Sequence, residues 1–131
     1  MGGDLPITKV AEKDDATKIL ADGGESLLNR ILVALANEER RYLIYYLVNT
    51  DVATIEECTT AVAVRKTKRH PKNISMKAHQ RVKKRLYHQH LPKLTDLDLI
   101  EYNQHSQTVR CERRPPALND FLDLARDIET N

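Results

Sequence analysis

The chain has 131 residues, of which 40% are hydrophobic and 31% are charged, with 21 Lys and Arg against 19 Asp and Glu. This composition excludes global disorder, and the length suits one domain of ordinary size. Apolar runs such as residues 31–36 are far below the roughly 20 residues that span a bilayer, and the two cysteines are too few for a disulfide scaffold. We therefore expect a soluble cytoplasmic protein with no membrane partner.

The N-terminal part is predicted to contain a flexible tail and two helices. Residues 1–24 include two Gly pairs and few apolar residues, so we assign them to the tail. Ser26 is predicted to cap a first helix, in which apolar residues recur at three- and four-residue spacing. Asn37 is predicted to cap a second helix, with Glu38 and Glu39 in the first turn, where the helix dipole favours acidic residues.

Two further helices are predicted in the middle of the chain. Thr54 and Glu57 form a capping-box pattern at the start of a third helix. Segment 65–73 is basic and contains a proline, so we expect a loop or a frayed helix end. The next helix is predicted over 75–94, with a kink or a break at Pro92.

A β-hairpin is predicted next, because the apolar period changes to two. Its strands are 99–102 and 108–111, joined by the turn 103–106. Pro115 and Pro116 end the hairpin, and a final helix with one apolar stripe follows.

This order of elements is that of a winged helix, in which the helix before the hairpin recognises DNA. We predict a mainly α fold with a small β-hairpin, a winged helix-turn-helix followed by a C-terminal helix. The predicted boundaries are a tail at 1–24, a winged-helix domain at 25–113 and a C-terminal dimerisation helix at 114–131.

The positive charge is concentrated in one window. Residues 59–95 contain 11 Lys and Arg and no Asp or Glu, whereas the rest of the chain carries 10 Lys and Arg against 19 Asp and Glu. Most charge runs are solvated helix faces, but such faces usually mix both signs. This window coincides with helix 75–94 and the loop before it, so composition and element order indicate the same polyanion-binding surface.

Two stretches resemble known proteins. The run from Leu35 to Leu47 begins Leu-Ala-Asn-Glu-Glu-Arg-Arg and resembles the opening of arsenical-repressor-like winged helices. The stretch from Leu86 to Leu94, followed by 99–102, is similar to small archaeal winged-helix proteins that are abundant in haloarchaea, and its most specific part runs from His90 to Leu94. Over about residues 27–111, this resemblance implies a dimeric DNA-binding regulator of the helix-turn-helix type. The chain departs from haloarchaeal proteins in not being strongly acidic.

We therefore predict a transcription regulator that binds double-stranded DNA sequence-specifically, with helix 75–94 in the major groove. Gln80 is expected to pair with adenine and Arg81 with guanine, while the basic residues before the helix contact phosphates. The predicted DNA-binding residues are Lys66, Lys68, Arg69, Lys72, Lys77, His79, Gln80, Arg81, Lys84, Arg85, His88 and Arg110.

The apolar stripe of the final helix predicts a partner surface. We expect a symmetric homodimer formed by this helix and the first one, which presents two recognition helices to a pseudo-palindrome. Packing of the final helix on its own domain is the alternative. The predicted interface consists of Leu27, Leu28, Ile31, Leu118, Phe121, Leu122, Ala125 and Ile128.

Three alternatives stay open. A metal-responsive repressor would use His88 and His90 with Cys111, His79 or Cys58, but His-x-His places its two side chains about 200° apart on a helix. RNA binding and a protein-interaction adaptor are the other two. No cofactor, metal or small-molecule effector is predicted. We expect no enzyme, because the sequence has no Gly-rich phosphate loop, nucleophile elbow or His-Glu-x-x-His motif.

Overall fold

The computed structural model describes residues 26–111 and 114–130, so the predicted tail at 1–24 lies outside the described residues. The chain divides into two compact units, residues 1–33 and 34–131. The first helix is α1 (Leu27–Leu35). Its predicted cap is confirmed, since the Ser26 hydroxyl oxygen accepts a hydrogen bond from the backbone N–H of Asn29 at 3.1 Å.

The second unit is mainly helical with a small antiparallel sheet. Its α-helices are α2 (Glu38–Leu47), α3 (Ile55–Thr67), α4 (Met76–Arg85), α5 (Leu91–Asp96) and α6 (Pro116–Thr130). A 3-10 turn (Pro71–Asn73) precedes α4, and a π-helical segment (Leu86–His90) joins α4 to α5. The strands are β1 (Ala53–Thr54), β2 (Glu101–Asn103) and β3 (Thr108–Arg110), in the order β1-β3-β2. The predicted mainly α fold with a β-hairpin and a C-terminal helix is confirmed at this level.

Side-chain caps fix the starts of α2, α3 and α4. The Asn37 side chain accepts hydrogen bonds from two backbone N–H groups of α2, at 2.8 and 3.2 Å. Thr54 and Glu57 form the predicted capping box, with reciprocal hydrogen bonds of 2.9 and 3.0 Å. Ser75 accepts a hydrogen bond from the first turn of α4 at 3.0 Å. Because these caps satisfy N–H groups that have no intrahelical partner, the local sequence sets where each helix begins.

The basic segment 65–73 is more ordered than a loop. Helix α3 continues to Thr67 and ends at Lys68, whose backbone is left-handed with a φ of 58°. The 3-10 turn follows before α4 begins. Helix α3, a short turn and α4 are therefore consecutive.

The helix irregularity predicted at Pro92 lies a few residues earlier, in the π-helical segment 86–90. Pro92 lies in the first turn of α5 without interrupting it, and the irregular hydrogen bonding occurs at 86–90. Since proline has no N–H to donate to a carbonyl four residues earlier, the helix widens in the turn before it.

The predicted hairpin is confirmed, and it is extended by a strand that was not predicted. Tyr102 pairs with Val109 across β2 and β3, and Ala53 of β1 pairs with Val109 from the other side. Strand β1 has only two residues, which is too short to show an alternating pattern.

The core of the second unit lies where α2 packs against α3 and α3 packs against α4. Burial raises the pKa of the Cys58 thiol to about 12, as expected for a core cysteine. Residues that are at most 1% exposed include Leu43, Ile44, Leu47, Cys58, Val62, Leu86, Leu91 and Leu94.

Helix α6 contacts α2 through polar groups. The Arg41 guanidinium donates to the Glu129 carboxylate at 2.9 and 3.2 Å, and the Tyr45 hydroxyl donates to the same carboxylate at 2.7 Å. Arg126 lies over the Tyr45 ring, 4.8 Å from its centroid. Within the described part of the chain, no helix combines the length and the apolar composition needed to cross a membrane.

Candidate nucleic-acid interface

The 11 Lys and Arg of residues 59–95 have two kinds of environment. Some contact a carboxylate or an aromatic ring, namely Arg65, Lys66, Lys83 and Arg85. The others have no such partner within residues 26–111 and 114–130, and these are Lys68, Arg69, Lys72, Lys77, Arg81, Lys84 and Lys93.

Two of the four partnered cations contact a buried carboxylate at the start of α2. Glu39 is only 3% exposed. It accepts hydrogen bonds from Lys66 Nζ at 2.8 Å and from the Arg85 guanidinium at 2.6 to 3.0 Å. His90 Nε2 lies 2.9 Å from Glu39 Oε1. We call these four residues the Glu39 cluster; it joins α2, the end of α3, the end of α4 and the π-helical segment.

The charge of Glu39 is stabilised against its burial. Burial alone would raise the pKa of the Glu39 carboxyl, but hydrogen bonds from His90, Arg85 and Lys66 outweigh it and hold the pKa well below its usual range. The tautomer of His90 that donates from Nε2 leaves Nδ1 as an acceptor, and Nδ1 has no hydrogen-bond partner among the described residues. The cluster is therefore an ionised carboxylate with donors on several sides.

Glu56, at the start of α3, makes a second and more exposed set of contacts. It forms an ion pair with Lys83 of α4, and its carboxylate lies 3.6 Å from His79 Nε2. The Lys83 partner lowers the pKa of Glu56. His79 also lies 3.4 Å from the Thr60 hydroxyl. This side of α4 is therefore bound to α3.

Arg65 is directed towards α2. Its guanidinium lies 4.7 Å from the centroid of the Tyr45 ring and 5.3 Å from that of Tyr42. These distances are typical of cation–π contacts, which stabilise a cation without a carboxylate.

Of the seven cations in the second environment, Lys93 lies on α5, and the other six form an exposed surface on the turn between α3 and α4 and on the outer side of α4. We call it the cationic face; its members, all exposed, are Lys68, Arg69, Lys72, Lys77, Arg81 and Lys84. Lys77, Arg81 and Lys84 follow one another at spacings of four and three, which places them on one side of α4. Gln80 lies on the same exposed side. Helix α4 has 10 residues and is therefore about 15 Å long. This length is comparable with the width of a DNA major groove, about 12 Å.

The hairpin contacts the π-helical segment that follows α4. The Tyr87 hydroxyl donates to the Gln107 side chain, whose amide donates to the Tyr102 hydroxyl at 3.2 Å. The rings of Tyr87 and Tyr102 pack edge to face, with centroids 6.4 Å apart. The position of the hairpin relative to the end of α4 is therefore fixed by side-chain contacts.

Half of the predicted DNA-binding residues lie on the cationic face. Gln80 lies on the same exposed side of α4, and the exposed His88 lies in the π-helical segment that follows α4. It places Lys66 and Arg85 in the Glu39 cluster and His79 beside Glu56. Arg110 lies on the hairpin, where Glu101 is its cross-strand neighbour. The sequence did not indicate Glu39 or Glu56 as partners of these cations.

The predicted dimer-interface residues differ in exposure. On α6, Leu118 and Leu122 are buried within the single chain, Phe121 and Ala125 are half-buried, and Ile128 is 66% exposed. On α1, Leu28 is exposed, Leu27 is half-buried and Ile31 is buried.

The residues considered for a metal site do not converge. His90 is buried against Glu39, whereas His88 is exposed. Among residues 26–111 and 114–130, no three His, Cys, Asp or Glu side chains are grouped as metal ligands would be.

Comparison with known proteins gives one family and no individual relative. No curated protein and no solved structure matches this chain. A family model described as a domain of unknown function, DUF7344, matches residues 32–110. That match includes α2 to α5, the hairpin, the Glu39 cluster and the cationic face, and it covers more than half of the chain. The chain therefore belongs to the DUF7344 family.

Proposed function

We propose that this protein binds double-stranded DNA as a winged helix-turn-helix and regulates transcription. In this proposal α3, the turn and α4 are the helix-turn-helix, α4 enters the major groove as the recognition helix, and the β2–β3 hairpin is the wing. The observation that carries the proposal is the cationic face, because six exposed cations without carboxylate partners among the described residues lie on the outer side of α4 and on the turn that precedes it. A polyanion is the partner that such a surface attracts most strongly.

Residues on the turn before α4 and residues on α4 itself are expected to contact different parts of the DNA. Lys68, Arg69 and Lys72 precede α4 and are expected to contact phosphates, which supply salt-dependent affinity without sequence information. Gln80 and Arg81 lie on α4 itself and are expected to contact base edges, since their side chains match adenine and guanine respectively.

The Glu39 cluster supports this assignment indirectly. It fixes the end of α4 to α2 and α3 through Arg85 and Lys66. A recognition helix that is held in place loses little conformational entropy when it enters the groove, and so binds more tightly.

The test is binding of purified full-length protein to random-sequence duplex DNA, measured by fluorescence anisotropy at several salt concentrations. We expect affinity to fall steeply with salt, and Arg81→Ala combined with Lys84→Ala to remove binding while circular dichroism stays unchanged. Lys93→Ala is the matched control for Lys84→Ala, since it removes an exposed lysine of the same charge window that lies on α5. Unaltered binding by the double variant contradicts the proposal, as does single-stranded RNA that competes as well as duplex DNA.

We propose further that the protein acts as a homodimer through α6. Leu124 and Ile128 are 59% and 66% exposed and lie one turn apart on that helix. A second copy of the chain that covers them would bury apolar surface symmetrically. Light scattering at micromolar concentration tests this: a mass near the 15.0 kDa of one chain contradicts it.

A further inference from the structure

Met76, the first residue of α4, is an apolar side chain in an unusual place. It is 77% exposed, more than any other large apolar side chain among the described residues. Its neighbours in sequence are Ser75, which caps the helix, and Lys77 of the cationic face. Because Met76 buries so little surface, it adds little to folding stability.

Met76 begins a row along the outer side of α4. Gln80 and Lys84 follow it at intervals of four residues, and all three side chains are exposed. Residues four apart on a helix lie one above the other on the same side. An apolar group, an amide and a cation therefore lie in line next to the second row, which contains Lys77 and Arg81.

The surroundings of Met76 indicate what it contacts. No other exposed large apolar residue lies on α4 or on the turn before it, so the described residues offer no apolar patch for a protein partner at this position. The cations around Met76 favour a polyanion instead. The apolar group that duplex DNA presents in its major groove is the C5-methyl of thymine.

We propose that Met76 contacts a thymine methyl group and so makes this helix selective for thymine at one position of its binding site. This inference rests on the proposed function, with α4 in the major groove. Gln80, in the same row, is expected to contact an adjacent base pair. Burial of one methyl group corresponds to about a fourfold change in affinity.

Deoxyuridine provides the test, because it pairs with adenine as thymine does and lacks only the C5-methyl. A preferred site is first selected from random duplexes with the wild-type protein, and each thymine in it is then replaced singly by deoxyuridine. We expect about fourfold weaker binding at one position. Met76→Ala is expected to bind the thymine and deoxyuridine duplexes equally, which makes the two changes non-additive.

Val52→Ala serves as a control, since it shortens another exposed apolar side chain outside the cationic face. It is expected to keep the wild-type preference for thymine over deoxyuridine. Wild-type binding that is insensitive to every deoxyuridine, or a Met76→Ala variant that keeps the preference, overturns this inference alone. A selection without a preferred site overturns it together with the base contacts assigned to Gln80 and Arg81. Absence of any duplex binding by the wild-type protein overturns the proposed function as well.

Discussion

Lys84 and Arg85 are consecutive residues of α4 with the same charge, yet they belong to two different regions of the molecule. Arg85 donates to the buried carboxylate of Glu39, while Lys84 is exposed on the cationic face. The same contrast separates Lys66 from Lys68 at the end of α3. A single run of positive charge therefore contributes to two surfaces, one that holds the helices together and one that faces outwards.

The difference between the two regions comes from acidic residues outside the charge window. Glu39 and Glu56 lie before residue 59 in sequence. The fold brings Glu39 against the ends of α3 and α4, and it brings Glu56, at the start of α3, against Lys83 of α4. The cations they meet are neutralised within the protein. The cations of the cationic face contact no acidic residue among the described residues, so their charge is not neutralised there.

The largest expected effect is on the Glu39 cluster. Glu39→Gln removes the buried negative charge but keeps the shape, and leaves Lys66 and Arg85 without their counter-ion. Because both cations are partly exposed and can turn towards water, we expect a loss near the lower end of the range for a broken buried pair, about 3 kcal/mol of unfolding free energy. Urea denaturation followed by circular dichroism measures this.

Glu38→Gln is the matched control, since it makes the same chemical change at the neighbouring exposed position. Its unfolding free energy is expected to stay within about 0.5 kcal/mol of the wild-type value. Equal losses in the two variants would show that the burial of Glu39 does not matter.

The same cluster predicts how stability depends on pH. The pKa of Glu39 is lower in the folded protein than its ordinary value of 4.5, so the stabilisation is fully present above that value and is lost as the pH falls below it. We expect the difference in unfolding free energy between wild type and Glu39→Gln to be largest at pH 7 and to shrink in acid. Glu56 and Glu129 also have lowered pKa values. Because wild type and Glu39→Gln both contain these two residues, their contribution to the pH dependence cancels in the difference. A constant difference down to pH 3 would contradict the assignment of the charge to Glu39.

Substitution of the two consecutive cations compares the regions directly. Arg85→Ala is expected to lower the unfolding free energy by about 2 kcal/mol, because it removes hydrogen bonds to a charged group. Lys84→Ala is expected to leave stability within about 0.5 kcal/mol and to reduce the salt dependence of DNA binding by about one phosphate contact. Paired urea denaturation and salt titrations measure both. The comparison fails if Lys84→Ala destabilises the fold as much as Arg85→Ala does.

The sequence predicts the fold well where local chemistry decides it. Asn37, Thr54 and Ser75 cap helices through contacts within three residues, and the change to a two-residue period identifies the hairpin. Strand β1 and the π-helical segment were not predicted, since the first depends on pairing with a strand more than 50 residues away.

The candidate site was predicted only in part, because charge alone does not show which cations are neutralised by the fold. Glu39 lies four and eight residues before the buried Leu43 and Leu47, so its place on the inner side of α2 was visible in the spacing. Its position in the first turn favoured a different explanation, the helix dipole. Its partners Arg85 and His90 are 46 and 51 residues away, and no local pattern indicates contacts at that separation.

The smallest expected effect on stability concerns Lys83. This residue has a carboxylate partner, as Lys66 and Arg85 do, but the pair that it forms is exposed. Its partner Glu56 is 58% exposed, so the ion pair adds little stability, and Glu56→Gln should change the unfolding free energy by less than about 1 kcal/mol. The substitution removes the charge that neutralises Lys83 and faces His79. Under the proposed function, Lys83 then becomes available to DNA. We expect tighter binding, with the slope of the logarithm of the binding constant against the logarithm of salt concentration steeper by about 0.9.

Glu57→Gln, the same change at the next exposed residue, controls for the loss of one negative charge, since Glu57 has no ion pair with α4 among the described residues. If both variants tighten binding equally, the effect arises from net charge, and Lys83 does not join the cationic face.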